Sequence, residues 1–169
     1  MENNLFKKKS KVAIIGAGFV GASVAYAISM RQVVSEIVLI DVDSAKAKGE
    51  SLDICHGIPF MGQIKIASGT YEDCADCDVI IVTAGLGRKP GETRLDLGRK
   101  NLPIAKSITE NIMKFYNGGV ILVVSNPLDV LTYFIQKWSG LPNGVVVGSG
   151  TILDTSRFVS YLSGYFNVN

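Results

Sequence analysis

The chain has 169 residues, 47% of them hydrophobic, and its 17 basic and 15 acidic side chains give a net charge of +2. This composition excludes an intrinsically disordered or fibrous protein, and a charge so close to neutral argues against nucleic acid as the main partner. Three cysteines at irregular spacing do not form a disulfide framework, which is typical of a reduced, cytoplasmic protein.

The N-terminus begins with a basic segment that includes three consecutive lysines, and we interpret residues 1–10 as a solvated tail. An uncharged stretch from Val12 to Met30 follows, and by charge alone it resembles a signal peptide or a short membrane span. Three glycines within that stretch would be costly in a spanning helix. They favour a strand and a helix of a globular domain over a membrane or export segment.

Apolar runs and helical segments alternate along the rest of the chain. Buried strands are predicted at Lys11–Ile15, Glu36–Ile40, Ile64–Ala67, Val79–Thr83, Val120–Val124 and Val145–Val147. Helices are predicted at Val20–Met30, Ser44–Cys55, Leu95–Tyr116 (bent or divided near Pro103), Pro127–Trp138 and Leu153–Ser163. Strands without polar alternation, separated by helices, indicate an α/β protein with a doubly wound parallel sheet, the Rossmann architecture.

The first strand leads into a GxGxxG sequence, Gly16-Ala-Gly18-Phe-Val-Gly21, which opens the first helix. Gly16 permits the tight turn, Gly18 lets a pyrophosphate approach the backbone, and Gly21 lets the helix lie close to the sheet. Asp41 follows the second strand, where a carboxylate can bind the ribose hydroxyls of NAD and repel the 2′-phosphate of NADP. Packing glycines and a helix-capping aspartate are the alternative, but the order of elements favours dinucleotide binding.

Three further features lie beyond the carboxyl ends of later strands, where ligands bind in this architecture. The loop Ala84–Thr93 carries Arg88 and precedes Arg94, which suggests a mobile lid over an anionic substrate; a solvated basic loop is the alternative. Asn126 could point its amide into the same crevice or cap the next helix. Asp154 and Arg157 share a helix face, either as a simple ion pair or as a carboxylate clamp beside a catalytic acid.

Cys74 and Cys77 form a CxxC pattern, and Cys55 and His56 are the nearest further candidates for a metal site. Adjacent ligands such as Cys55 and His56 fit one zinc tetrahedron poorly. We therefore predict no metal, and small apolar fillers around the start of a strand.

Together these motifs resemble the lactate/malate dehydrogenase family from about Lys11 to the C-terminus. The matching segments are Gly16–Gly21, Val38–Asp41, Tyr71–Cys74, Thr83–Gly85, Lys89–Leu97, Ser125–Pro127 and Gly148–Phe158. The resemblance implies NAD as cofactor and reversible hydride transfer between NADH and a 2-oxo acid. It also implies a homo-oligomer, a tetramer in the intact enzyme, with a small-molecule substrate and neither nucleic acid nor membrane as a partner.

The resemblance implies catalytic roles for three residues. Arg94 corresponds to the lid arginine that polarises the substrate carbonyl, Arg157 to the arginine that binds the substrate carboxylate, and Asp154 to the acid that orients the catalytic histidine. Asn126 corresponds to an asparagine beside the carbonyl and the nicotinamide. Besides Gly16, Gly18, Gly21, Asp41 and Asn126, the implied cofactor contacts are Val20, Lys46, Tyr71, Gly85, Ser107, Val124 and Ser149.

The acid–base histidine of the family is missing from this sequence, whose one histidine is His56. We therefore expect an N-terminal fragment with an NAD-binding domain at residues 11–149 and the start of a substrate domain at 150–169. Such a fragment would bind NAD(H) with negligible turnover, because it lacks the proton donor.

Two other departures concern specificity and regulation. Arg88 occupies the position that reads the substrate side chain, where lactate enzymes of the family have Gln and malate enzymes have Arg. The surrounding motif favours pyruvate, while the charge keeps oxaloacetate open. Val159 replaces an arginine of sugar-bisphosphate-activated enzymes, which argues against activation by fructose 1,6-bisphosphate. A regulatory NAD(H)-sensing module is a further alternative, but a sensor does not require three cations facing a substrate.

Overall fold

The computed structural model describes residues 10–168, so the predicted basic tail lies outside the described residues except for Ser10. Strands and helices alternate along the chain. In order, they are β1 (Lys11–Ile15), α1 (Phe19–Arg31), β2 (Glu36–Ile40), α2 (Ser44–Met61), β3 (Lys65–Ser68), a 3₁₀ helix (Tyr71–Asp76), β4 (Val79–Val82), α3 (Arg94–Met113), β5 (Val120–Val123), α4 (Leu128–Ser139), β6 (Val146–Gly148) and α5 (Ile152–Phe166). All six predicted strands are confirmed to within one residue.

The strands form a single sheet in the order β3-β2-β1-β4-β5-β6, and every pairing is parallel. This confirms the predicted Rossmann-like α/β fold. The order reverses between β1 and β4, and such a switch point leaves a crevice at the carboxyl ends of the strands. All strands therefore deliver their following loops to one edge of the sheet.

Apolar residues cover both faces of the sheet, as its continuous hydrophobic strands predict. One core cluster packs β1, β4 and β5 against α3 and α4, with Ile80, Ile112 and Leu131 almost completely buried. The second packs the other face against α1 and α2, around Ile14 and Leu39. The two layers hold the carboxyl edge of the sheet rigidly in place.

Three helices end more than one residue from their predicted ends: α2 at Met61, α3 at Met113 and α5 at Phe166. Of the two alternatives predicted for α3 near Pro103, a division is wrong, because one helix runs through this proline. Pro103 lies on the exposed side, where water can bind the carbonyl that loses its partner, while the opposite side stays packed. Similarly, α2 continues past Cys55 and through Pro59, because Ile54 and Ile58 extend its contact with the sheet.

The last helix, α5, has no buried residue. Its exposed large side chains include Phe158, Tyr161 and Phe166, with 63%, 78% and 63% of their surface accessible. An apolar helix with this exposure differs from the other helices, which pack on the sheet. Within the described residues no helix is both long and apolar enough to cross a bilayer.

The CxxC cysteines belong to the protein core. Cys74 and Cys77 are buried, and burial raises the pKa of Cys74 to about 12 and that of Cys77 to about 11. The Cys77 thiol donates to the Asp73 carbonyl at 3.1 Å, and Cys55 is exposed on α2. No cluster of metal-ligating side chains occurs among residues 10–168. Neutral, buried thiols suit the packing role and not redox chemistry.

Candidate functional site

The glycine turn, residues 16–21, connects β1 to α1 at the switch point. Gly16 has φ +106°, and a Cβ there would lie 2.6 Å from the Ala84 nitrogen. A Cβ on Gly21 would lie 1.9 Å from the Gly16 carbonyl oxygen. Both positions require glycine for the fold itself, because a methyl group would overlap backbone atoms.

Gly18 differs from the other two glycines. Its backbone is extended, with φ −79° and ψ −175°, and a Cβ there would meet no atom within 4 Å. It is the N-cap of α1, without a side-chain cap and without an acidic residue in the first turn. The free N–H groups and the positive end of the helix dipole therefore face open space, which suits a pyrophosphate.

Asp41 lies beside this turn at the end of β2. One carboxylate oxygen accepts from the Ala17 N–H at 2.6 Å, and the other accepts from the Asp43 N–H at 3.0 Å. A carboxylate has about four acceptor positions, so these bonds leave capacity for ribose hydroxyls. The contact with Ala17 gives Asp41 a second role, since it fixes the glycine turn relative to β2.

Most of the other predicted cofactor positions lie at the carboxyl edge of the sheet, but Ser107 is about 20 Å along the axis of α3 from its start at Arg94. Tyr71 begins the 3₁₀ helix, and burial raises the pKa of its phenol, with smaller contributions from the nearby Cys74 and Asp41. Lys46 belongs to the first turn of α2. The remaining positions follow strand ends or lie on α1 and α3: Val20, Gly85, Ser107, Val124 and Ser149.

The lid loop, residues 84–93, carries the exposed Arg88, and the exposed Arg94 begins α3 directly after it. Neither the Arg88 nor the Arg94 side chain has a hydrogen bond or ion pair with another residue in the range 10–168. The loop is held instead by Glu92, which accepts from the Lys89 N–H at 3.0 Å and pairs with Lys100. These contacts fix the backbone and leave both guanidinium groups available to an anion.

Asn126 and the Asp154–Arg157 pair lie at the ends of β5 and β6. The Asn126 side chain is exposed and makes no hydrogen bond within the described residues. Pro127, not Asn126, is the N-cap of α4, so the predicted alternative of a helix-capping Asn126 is wrong. Arg157 donates to Asp154 at 3.0 Å on the exposed α5. The structure therefore contains the ion pair, but no contact joins it to the lid cations or to Asn126.

Comparison with known proteins agrees with this arrangement. Residues 10–148 match the family described as lactate/malate dehydrogenase, NAD binding domain. The chain belongs to this family. Its cofactor is accordingly NAD, and the open Gly18 backbone, the uncapped start of α1 and Asp41 provide a cradle that fits the coenzyme's pyrophosphate and ribose.

Individual members of the family are similar over the whole chain. L-lactate dehydrogenase of Priestia megaterium is 51% identical over 169 residues, which is 100% of this chain and 53% of that protein. The structure of a minor L-lactate dehydrogenase from Enterococcus mundtii has a TM-score of 0.91 at 45% identity, over 95% of this chain and 52% of that one. Malate dehydrogenase from Picrophilus torridus has a TM-score of 0.88 at 41% identity, over 95% and 51%. The chain spans about half the length of these relatives.

Three polar residues without a predicted role hold the NAD-binding edge together. The Thr83 hydroxyl donates to the Ile15 and Gly16 carbonyls at 3.1 and 2.9 Å, which fixes the glycine turn against β4. The Ser125 hydroxyl contacts the Ala84 carbonyl at 2.7 Å, and the buried Asn101 bonds both to the lid loop and to Asn126. Asn101 had a detectable signal, because an amide lies on a face of α3 whose other buried residues, apart from Thr109, are apolar or small.

Proposed function

We propose that this chain is the NAD-binding half of an L-lactate dehydrogenase, which interconverts pyruvate and L-lactate. The observation that carries the proposal is the open, uncapped N-terminus of α1 beside Asp41, together with Arg88 of the lid loop and Arg94 at the start of α3, whose side chains have no partner within residues 10–168. The N-terminus of α1 and Asp41 bind a dinucleotide, and the two arginines attract an anionic substrate to the same edge of the sheet. The similarity to L-lactate dehydrogenases supports this assignment.

In the proposed reaction, NADH supplies a hydride to the carbonyl carbon of a 2-oxo acid. Arg94 polarises the carbonyl and stabilises the developing alkoxide, while the Asn126 amide orients the carbonyl oxygen. Arg157 binds the substrate carboxylate with two parallel hydrogen bonds. Because the Arg157 guanidinium also donates to Asp154, it then contacts both carboxylates. Closure of the lid loop would exclude water from the site.

The proton donor is not among these residues. His56 is exposed on α2, about 18 Å along the helix axis from its start at Ser44, since each residue adds about 1.5 Å. The carboxyl edge of the sheet lies at the Ser44 end, so His56 is far from the site. We therefore propose that these 169 residues by themselves bind NAD(H) and turn over substrate negligibly.

Malate dehydrogenase activity is the second candidate, and Arg88 is the observation in its favour. A cation that reads the substrate side chain favours a second carboxylate, hence oxaloacetate. Arg88 is exposed and unpaired within the described range, so no neighbour in residues 10–168 neutralises it. The motif around it, including Arg94 and Leu97, is the reason that pyruvate remains the first choice.

A chimera tests the substrate. In it, this chain replaces the corresponding half of L-lactate dehydrogenase from Priestia megaterium, and NADH oxidation is followed with pyruvate and with oxaloacetate. We expect a higher kcat/KM for pyruvate, and we expect Arg88→Gln to shift the ratio further toward pyruvate by about tenfold, the size of one charge-assisted hydrogen bond. Lys89→Gln, one residue on, is the matched control for lost charge.

The outcomes separate the two candidates. A higher kcat/KM for oxaloacetate that reverses in the Arg88→Gln chimera would assign malate dehydrogenase activity. A chimera that folds and binds NADH but reduces neither acid would contradict both substrates.

Asp41 is predicted to set the preference for NADH over NADPH. Asp41→Asn keeps the size of the side chain and an acceptor for one of the two N–H groups that Asp41 binds, but removes the charge that repels a 2′-phosphate. We expect the ratio of the two dissociation constants to change by at least about tenfold in favour of NADPH, as measured by nucleotide fluorescence titration. Asp43→Asn, which retains the cap on α2, is expected to leave the ratio unchanged. If the ratio of the NADH and NADPH dissociation constants were the same in the wild type, Asp41→Asn and Asp43→Asn, this would contradict the role of Asp41.

The exposed helix α5 suggests how the chain is organised within a larger assembly. We propose an NAD-binding domain at residues 11–149 and the beginning of a substrate domain at 150–169, because the apolar face of α5 is not covered by the described residues.

We also propose a cytoplasmic homo-oligomer, a tetramer in the intact enzyme, with a small 2-oxo or 2-hydroxy acid as its substrate. Val159 is exposed and uncharged, so we propose no activation by a sugar bisphosphate.

A further inference from the structure

Asn101 is a polar side chain on the buried face of α3, with 2% of its surface exposed. Its Oδ1 accepts from the Leu86 N–H at 2.8 Å. Its Nδ2 donates to the Leu86 carbonyl at 3.1 Å and to the Asn126 carbonyl at 2.7 Å. One amide therefore binds two segments that are far apart in sequence, the lid loop and the turn after β5.

Gly85 and Ser125 support the contact between Asn101 and the lid loop. Gly85 lies so close that a Cβ there would be 3.3 Å from the Asn101 Nδ2, so a side chain at this position would press on the amide. The Ser125 hydroxyl makes a parallel connection by bonding to the Ala84 carbonyl at 2.7 Å. The first residues of the lid loop are thus fixed from α3 and from the end of β5.

The position of the Asn126 main chain determines where its side chain can reach. The carbonyl of Asn126 is held by Asn101, while its amide side chain has no partner within the described residues and is exposed at the crevice. Leu86 is two residues before Arg88 in the lid loop. Asn101 thereby fixes the starting point of the lid relative to the Asn126 amide, which the family resemblance places beside the substrate carbonyl and the nicotinamide.

We propose that Asn101 is a positioning residue for the nicotinamide half of the coenzyme site, acting through the main chain of Asn126 and Leu86. This inference rests on the proposed function and extends it to a buried residue of α3. The adenine half of the site lies between the glycine turn and Asp41, to which Asn101 makes no hydrogen bond. Loss of Asn101 should therefore weaken binding of the nicotinamide half alone.

The test compares two ligands on the same chain. NADH reports both halves of the site, whereas ADP-ribose lacks the nicotinamide. Asn101→Asp keeps the size of the side chain and the acceptor for the Leu86 N–H. It places a carboxylate oxygen against the Leu86 and Asn126 carbonyls, which accept from Nδ2 in the wild type. We expect the dissociation constant for NADH to rise about tenfold and that for ADP-ribose to stay within about twofold, as measured by fluorescence and calorimetry.

Asn111→Asp is the matched control, because within residues 10–168 the Asn111 amide on the same helix bonds only to the Ser107 main-chain carbonyl and to Lys114. It is expected to leave both dissociation constants unchanged. Asn101→Ala, which removes all three bonds without adding charge, should give the same selective loss as Asn101→Asp.

The outcomes distinguish the inference from the proposed function. Equal weakening of both ligands, no weakening of either, or failure of both Asn101 variants to fold would overturn the positioning role while wild-type binding stands. A folded wild-type chain that binds neither NADH nor ADP-ribose would overturn the proposed function and this inference together.

Discussion

Replacing Gly18 by aspartate is expected to abolish NADH binding and, at the same time, to stabilise the folded chain slightly. Gly18 is the N-cap of α1, with an extended backbone and open space where a side chain would project. Aspartate is a favoured N-cap residue and interacts well with the helix dipole, which should add about 0.5 kcal/mol to the free energy of unfolding. The same carboxylate would occupy the pyrophosphate position and repel it, so we expect at least about a 100-fold loss of affinity.

NADH fluorescence titration and urea unfolding of the same samples measure the two effects. Gly49→Asp is the control, since it makes the same charge change on α2, where a side chain also meets open space. It should leave NADH affinity unchanged. Undiminished NADH binding by the Gly18→Asp chain would contradict the placement of the pyrophosphate at this turn.

Gly21→Ala is expected to produce the largest loss of stability. The added methyl group would lie 1.9 Å from the Gly16 carbonyl oxygen and 2.9 Å from the Thr83 hydroxyl. Both belong to rigid parts of the structure, because the Gly16 N–H donates to the Ile40 carbonyl of β2 at 2.7 Å and the Thr83 hydroxyl donates to the Gly16 carbonyl. The first helix would have to move away from the sheet, at a cost of about 3 kcal/mol.

The midpoint of urea unfolding measures this cost, and NADH titration shows whether the displaced helix still binds the coenzyme. Gly49→Ala provides the reference, because it adds the same methyl group to a helix where nothing lies within 4 Å. That change should be neutral or stabilising by up to about 1 kcal/mol. A Gly21→Ala chain as stable as the Gly49→Ala chain would show that α1 does not pack as closely as the structure indicates.

Gly18 and Gly21 also show how far the sequence could be read. Their spacing, after one buried strand and before a helix, predicts the turn and the general role of each glycine. The structure gives these different roles a geometric basis, because a Cβ on Gly21 would meet the Gly16 backbone and the Thr83 hydroxyl, while a Cβ on Gly18 would meet no atom within 4 Å. Gly21 is therefore required for folding, and Gly18 remains free for the ligand.

The candidate substrate residues are a different case. Arg88, Arg94 and Arg157 were predicted from local motifs, and the structure leaves them exposed without contacts to one another. Their convergence on one substrate remains a prediction, since neither local spacing nor the contacts within residues 10–168 bring them together.

The strands, the parallel sheet, the glycine turn and the acidic residue after β2 were predictable from the sequence, because they depend on local hydrophobic patterns and on backbone requirements of single residues. The tertiary structure decided the roles of Asn101 and Thr83, which depend on carbonyl groups 25 and 68 residues away. It also decided that α3 continues through Pro103, since packing of the opposite helix face outweighs one lost hydrogen bond. Hydrogen bonds between distant segments have no periodicity in the sequence, and only the folded chain brings their partners together.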